Sequence, residues 1–395
     1  MLDIEVGRKK IGAIKAHNYI NFEGDFFEKL KEDFEGGLFG WIGEFEEFAL
    51  GYLTFASILH ADVDSTASPV GSFILGETST GKSQFLESIA QAFPSDRVIN
   101  LTSASAKGLI YECRRDPYFL NGRVVFVEEL SGIKNPEVQY LLRVLLTKGY
   151  ASHTTVLSGE AERIEIFGAI SLQSTGLSMD GLRDDTMNRL VIFESDPSRE
   201  KTSSVIEDIK KRYLHGKKKK RGDFSFYHDF FDSLNPMRVT IPYIDRIKFD
   251  TEKFETRRAS KIFFDLLSTV ALLNQGKRAI DHMTESLVSE MEDLEILMSF
   301  SGKKEKRPEY TLSPSQKAVH EAIQRLSLED GFTYMDIISQ GPTDERGKTY
   351  ELSSIKKAVA RLRELHLIHQ VSGGRPVRFS KKPVAGANRF GVVTF

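Results

Sequence analysis

Apolar residues recur along the chain in two rhythms, and the switches between them mark out its parts. Between residues 44 and 59 the positions Phe45, Phe48, Ala49, Leu53 and Ile58 return near helical spacing, after a glycine-rich stretch at residues 36–40. Residues 70–75 form a short apolar run that stops at Gly76, the pattern of a buried strand feeding a loop, and residues 83–93 return to helical spacing. From residue 97 to residue 193 apolar runs and helical stretches alternate, which predicts a mostly parallel α/β sheet. Residues 257–280 and 280–300 read as two helices of a small bundle, and residues 301–308 as a linker.

After the linker the rhythm describes a separate unit. Residues 313–326 predict a helix with Ser313 as its cap and Pro314 at its first position. Residues 334–340 predict a short second helix. Residues 353–364 predict a third, with Ile355, Val359 and Leu362 inward and Lys356, Lys357, Arg361 and Arg363 outward. Residues 367–371 and 376–380 alternate as strands about the turn 372–375. This order is that of a winged helix-turn-helix. DNA would meet the third helix through Lys356, Lys357, Arg361 and Arg363, and the wing through Arg375 and Arg378. The same module can instead serve protein contacts. The domain plan is therefore an N-terminal segment (1–40), an α/β core (41–200), a helical lid (201–300), a linker (301–312) and a winged-helix domain (313–395).

Charge sharpens the plan. The chain of 395 residues has a formal net charge of −2, yet residues 303–395 carry 17 Lys and Arg against 10 Asp and Glu. A tail of net +7 beside a remainder of −9 is a layout suited to a polyanion. The run at residues 217–221, four lysines and an arginine, reads as a solvated loop. Hydrophobic residues at 40% and charged residues at 28% are ordinary for a globular protein. No apolar run is long enough for a membrane helix, and the first residues lack the order of a signal peptide, so a cytoplasmic location is expected. The single cysteine, Cys113, excludes an intramolecular disulfide and a cysteine zinc site.

Candidate chemistry lies where the first strand ends. Gly76-Glu77-Thr78-Ser79-Thr80-Gly81-Lys82-Ser83 has the spacing of a phosphate loop, with a strand before it and a helix after it. The glycines let backbone N–H groups close round phosphates. Lys82 would reach the β- and γ-phosphates of ATP, and the Ser83 hydroxyl would ligate Mg2+. Residues 123–127 lead into Glu128 and Glu129, an acidic pair at the end of an apolar strand. Glu128 would complete the Mg2+ shell and Glu129 would activate the attacking water, although Glu in place of the usual Asp leaves that division open. Residues 166–175 predict a further strand ending in Ser174 and Thr175, either of which could touch the γ-phosphate or the water. Residues 151–157 and 162–167 predict a hairpin whose cation is Arg163; it and another loop, which carries Lys107, could line a central channel for DNA, or the hairpin could be purely structural.

Residues 73–193 resemble the AAA+ core of the minichromosome-maintenance (MCM) helicases, and still more the helicase-like ATPase module of mobile-element primase-helicases. Residues 81–86, 101–109 and 140–149, and the stretch 184–190, carry the resemblance, which extends over about residues 45–300. It implies an ATP-dependent DNA translocase or helicase in a hexameric ring, serving replication of a mobile genetic element beside a separate primase or initiator. It implies that Arg189 enters a neighbour's pocket as an arginine finger and that Arg258, or Arg257, is a second sensor. A DNA-binding switch without unwinding activity is the alternative reading of the same pocket.

Overall fold

The computed structural model describes residues 24–61, 66–101, 106–128, 136–157, 160–177, 189–214, 222–249, 256–301, 313–326, 332–343, 347–364, 368–372, 378–380, 390 and 392–394. The chain forms two compact units, residues 1–303 with 388–395, and residues 304–387.

In the larger unit, helices α1 (Phe26–Glu35) and α2 (Phe45–Ala56) precede the sheet. Asp25 caps α1 by accepting from the N–H groups of Phe27 at 2.8 Å and Glu28 at 3.1 Å. Strand β1 (Gly71–Leu75) leads to α3 (Lys82–Ala90), and β2 (Val98–Asn100) to α4 (Ala106–Arg115). Strand β3 (Arg123–Val127) is followed by α5 (Pro136–Lys148) and the hairpin β4 (Tyr150–Leu157) and β5 (Glu160–Phe167). Strands β6 (Ile170–Gly176) and β7 (Leu190–Glu194) complete a five-stranded sheet of order β2-β3-β6-β1-β7, parallel at every pairing. All five strands therefore finish at one edge, called the upper edge below, and begin at the lower edge.

Strand alternation gives the sheet two covered faces. Ile74, Val124, Phe126, Val191 and Phe193 face an aromatic-rich core that includes Phe26, Phe48, Phe85, Phe93 and Tyr227. Phe73, Val125, Val127, Leu172 and Leu190 face an aliphatic core with Leu109 of α4, Leu141 and Leu145 of α5, and Ile164 and Ile166 of β5. Each such side chain contributes about 2 kcal/mol by leaving water. The central strand β6 breaks the apolar rule on the aromatic side, where Ser171 and Gln173 stand. Both are fully buried and bonded: Ser171 Oγ lies 2.8 Å from the carbonyls of both Thr54 and Val70, between which its one proton is shared, and it accepts from Gln173 Nε2 at 2.7 Å, which also reaches Thr54 Oγ1 at 3.1 Å. This polar seam pins α2 to the middle of the sheet at little cost, because no buried group is left unmade.

The rest of the larger unit is α6 (Arg199–Leu214), α7 (Ser225–Ser233), β8 (Arg238–Thr240), β9 (Lys248–Phe249), α8 (Thr256–Leu273), β10 (Ile280–Asp281), β11 (Ser286–Val288) and α9 (Met291–Ser301). The expected helix over residues 280–300 is replaced in its first half by the β10–β11 pair, with β11 parallel to β8. A charged pair fixes this fold-back. The Arg278 guanidinium, 2% exposed, donates to the fully buried Asp293 carboxylate at 2.7 Å. Asp293 also accepts from Glu290 N at 2.9 Å and Ser289 Oγ at 3.1 Å, which starts α9 only after residue 290. The planned boundaries at residues 40 and 200 do not separate cores, since α1, α2, α7, α8 and α9 share the aromatic one.

The smaller unit contains α10 (Pro314–Arg325), α11 (Tyr334–Ser339), α12 (Leu352–Glu364), β12 (His369–Ser372) and β13 (Arg378–Ser380). Reciprocal capping boxes open the first two helices, Ser313 with Gln316 and Thr333 with Asp336. Val319, Ile323, Ile337, Ile355, Val359, Leu362 and Phe379 form its core, and β12 pairs antiparallel with β13. The chain then departs from the plan of one domain over 313–395. Strand β14 (Val392–Thr394) pairs antiparallel with β9 of the larger unit, and Phe390 is buried against the Phe263 ring at 5.7 Å. Burial of that ring draws the segment back across the boundary.

Candidate nucleotide site

The loop from Gly76 to Ser83 sits at the upper edge, where β1 stops. It is anchored on both sides: Gly76 N donates to Gly176 O at 3.2 Å, and Ser195 N to Leu75 O at 2.8 Å. Glycine is required at Gly76, with φ +154°, because a Cβ there would lie 1.7 Å from Ser195 Oγ. Gly81 precedes α3 in the left-handed region, φ +84°, and no side chain caps the helix. Ser79 also holds a positive φ of 66°, a conformation that costs a non-glycine residue about 1–3 kcal/mol. Thr80 Oγ1 closes the loop onto Glu77 O at 2.8 Å. Lys82 folds over it, its ammonium donating to Gly76 O at 2.7 Å and to Glu77 O. A cation held at the centre of a ring of backbone, before the start of a helix, fits a phosphate chain.

The strand order brings three further elements to that edge. Strand β6 lies between β1 and β3, with Ile74 opposite Thr175 and Val127 opposite Ser174. Glu128 follows β3 and is exposed; Glu129 lies outside the described residues. Ser174 Oγ donates to Val127 O at 2.7 Å, and Thr175 Oγ1 to Glu128 O. Both hydroxyls thus fasten the end of the acidic strand to β6.

Two predicted residues are not brought to the loop of their own chain. Arg189 precedes Leu190, which pairs with Gly71 at the beginning of β1. It stands at the lower edge, a strand's length of about 17 Å from Gly76. Arg258, exposed in the first turn of α8, lies one turn before Lys261, which donates to Thr66 O at 3.1 Å and Ser68 Oγ at 2.9 Å, ahead of β1. Arg257 is beside it. Both therefore sit near where β1 begins.

A pocket beside the loop was not legible in the motif. Trp41, Glu47, Phe85, Phe193, Glu194, Ser195 and Lys201 line it together with Ile74, Thr80, Gly81 and Lys82. Trp41 meets Phe85 edge-on at 4.7 Å, and Lys201 Nζ lies 4.7 Å from the Trp41 ring centre. Ser195 Oγ is buried and finds no hydrogen-bond partner among the described residues. The one signal in the sequence was that the sole tryptophan sits among glycines.

The family model for the MTBMA_p00010 P-loop domain matches residues 23–236, more than half of the chain. The chain belongs to the MTBMA_p00010 P-loop domain family. The match begins just before α1 and ends after α7, so this P-loop domain takes in α1, α2 and α7 of the aromatic side as well as the sheet, while α8 and α9 lie beyond it. It is a nucleoside-triphosphate-binding domain with an α/β fold. No curated protein matches the chain.

The remaining predicted contacts are scattered. Arg163 is exposed on β5, where its guanidinium bonds the Tyr150 hydroxyl at 3.3 Å and pairs with Glu165 at 3.5 Å. Lys356, Lys357, Arg361 and Arg363 are exposed along α12. Arg375 and the side chains of Lys107 and Arg378 lie outside the described residues. Cys113 is buried, and burial pushes its thiol up to about 12, which leaves it inert. Among the described residues no helix is long and apolar enough to cross a membrane, and no cluster of His, Cys, Asp and Glu could hold a metal.

Proposed function

We propose that the chain is an ATP-hydrolysing, DNA-translocating motor of the AAA+ type that works as a ring, a replicative helicase of a mobile genetic element. The carrying observation is the position of Arg189, at the edge of the sheet opposite its own phosphate loop. A guanidinium so placed can complete only a neighbour's pocket, in a closed head-to-tail assembly. The interposed strand β6, which sets the acidic strand one place away from β1, agrees with the AAA+ reading.

In that pocket the loop N–H groups and Lys82 bind and orient the phosphates, and the base lies against Trp41 with Ser195 Oγ as a polar contact. Ser83 and Glu128 would hold Mg2+, which supplies charge neutralisation on the phosphates. Glu129 takes the proton of the attacking water. The winged-helix reading of α10–α12 and the lid reading of residues 201–300 belong to this proposal; β12 and β13 would form the wing, and the exposed face of α12 would meet DNA.

ATP-dependent strand displacement on forked DNA tests the motor: unwinding by wild type and none by Lys82→Ala is expected. ATP hydrolysis and duplex binding without displacement would establish the second reading, a DNA-binding switch. That reading draws on the hairpin, whose Arg163 is already paired with Glu165 and whose Glu162 pairs with Arg114 of α4.

A further inference from the structure

The hairpin β4–β5 buries one face and opens the other. Ala151, Ile164 and Ile166 enter the aliphatic core, whereas Ser152, Thr154, Arg163 and Glu165 are exposed. On the open side, at the base of the hairpin, Tyr150 pairs across from Phe167 with ring centres 5.2 Å apart. Tyr118, from the loop between α4 and β3, lies flat on Phe167 at 5.1 Å, with the two planes 18° apart. The three rings form one continuous array, and its outermost member, Tyr118, is 45% exposed.

The array is not needed to hold that loop. Phe167 N donates to Pro117 O at 2.8 Å, Gly122 N to Ala169 O at 3.1 Å, and Ala169 N to the Asn121 amide oxygen at 3.2 Å. With the backbone so tied, the open Tyr118 ring is surplus to the fold. A ring at the end of a flat stack offers a π-face to another planar group. The charged groups of this face, Arg163 and Glu165, stand at the Tyr150 end of the array and are paired with each other. Such an opposed pair does not hold a bare phosphate, which calls for unopposed cations. The planar group that a DNA-binding chain brings to a π-face is a nucleobase. Paired bases within a duplex keep their faces stacked on each other, so the matching ligand is single-stranded.

We propose that Tyr118, backed by Phe167 and Tyr150, is a stacking platform for a base of single-stranded DNA. This rests on the DNA-motor reading and adds a contact at the lower edge of the sheet, at the foot of the hairpin. The test uses the full chain with a 5-iodouracil-substituted single-stranded DNA, photo-crosslinked and mapped by peptide mass. Affinities of wild type, Tyr118→Ala and Tyr118→Phe are measured beside it by fluorescence anisotropy for single-stranded DNA, its RNA counterpart and duplex. A crosslink on Tyr118 is expected, with about tenfold weaker single-strand binding by Tyr118→Ala. Tyr118→Phe should bind as wild type, and the salt dependence should stay the same in all three, since no phosphate contact is lost. Equal single-strand affinity for Tyr118→Ala, or crosslinks confined to residues 304–387, would overturn the platform while intact duplex binding keeps the DNA reading standing. Tighter binding of RNA than of DNA would also overturn it. Failure to bind either form of DNA would remove both.

Discussion

The two edges of one sheet are built on opposite rules. At the upper edge polar groups are gathered about one loop: the Lys82 ammonium over it, the exposed Glu128, and the buried Ser195 hydroxyl. At the lower edge they bond to one another, with His60 Nδ1 the exception in the set. Asn121, Gly122, Phe167, Gly168 and Ala169 lock the foot of the hairpin, and His60, Thr269, Asp265, Lys261 and Ser68 form a connected set near the beginning of β1. Parallel strands create this asymmetry, because every strand delivers its following loop to the same side. Chemistry collects at one edge and anchoring at the other.

The comparison breaks first if Arg189, a lower-edge residue, has a chemical role. Arg189→Ala should bind ATP normally and lose about 10³-fold in hydrolysis. Mixing it with Lys82→Ala subunits should restore part of the activity, read as phosphate release. Full activity of Arg189→Ala alone, independent of protein concentration, would confine the chemistry to the upper edge of a single chain. Next in size, Glu129→Gln should retain nucleotide binding and lower kcat by at least about 10²-fold, and wild-type turnover would remove it as the base.

The lower edge predicts a pH dependence instead. Burial pushes the Asp265 carboxyl up to about 6 and holds the His60 imidazole down to about 4. A raised carboxyl stabilises the fold below its ordinary value, and that contribution is lost as pH rises through about 6. A depressed imidazole contributes fully above its ordinary value, and that contribution is lost as pH falls through about 4. Each is worth roughly 3 kcal/mol, with opposite sign, so the two nearly cancel between these values. Asp265→Asn should expose the His60 loss, with Tm falling from pH 6.5 toward pH 4 more steeply than in wild type; parallel profiles would sink the coupling. Smallest of all, Ile166→Val should cost about 1 kcal/mol in chemical denaturation and leave the KM for nucleotide unchanged.

What could be read in the sequence follows the range of the interactions. The phosphate loop was legible because strand, glycines, lysine and helix are contiguous. So were the three helices of the smaller unit, whose caps are local pairs such as Ser313 with Gln316. The polar seam of β6 was hidden because Gln173 is satisfied by Thr54, 119 residues away. The fold-back at β10–β11 was hidden because Arg278 and Asp293 read as surface charges until they are seen to bury each other. The pocket wall was hidden because Trp41 comes from a segment far along the chain from Ser195 and Lys201. The family resemblance pointed to Arg189 and Arg258 but said nothing of the edge at which they lie.

The pairing of β14 with β9 bears on how the protein is made. Val392 leaves the ribosome 143 residues after its partner Phe249. At about 5–20 residues per second this is a delay of roughly 7 to 30 s. During it the body has its sheet and the aromatic core lacks the Phe390 ring, while residues 304–387 have time to fold as a unit between two points that will both be fixed. A ribosome that stalls in this interval leaves Phe263 partly uncovered, an apolar mark by which a chaperone or protease can tell the unfinished chain from the finished one.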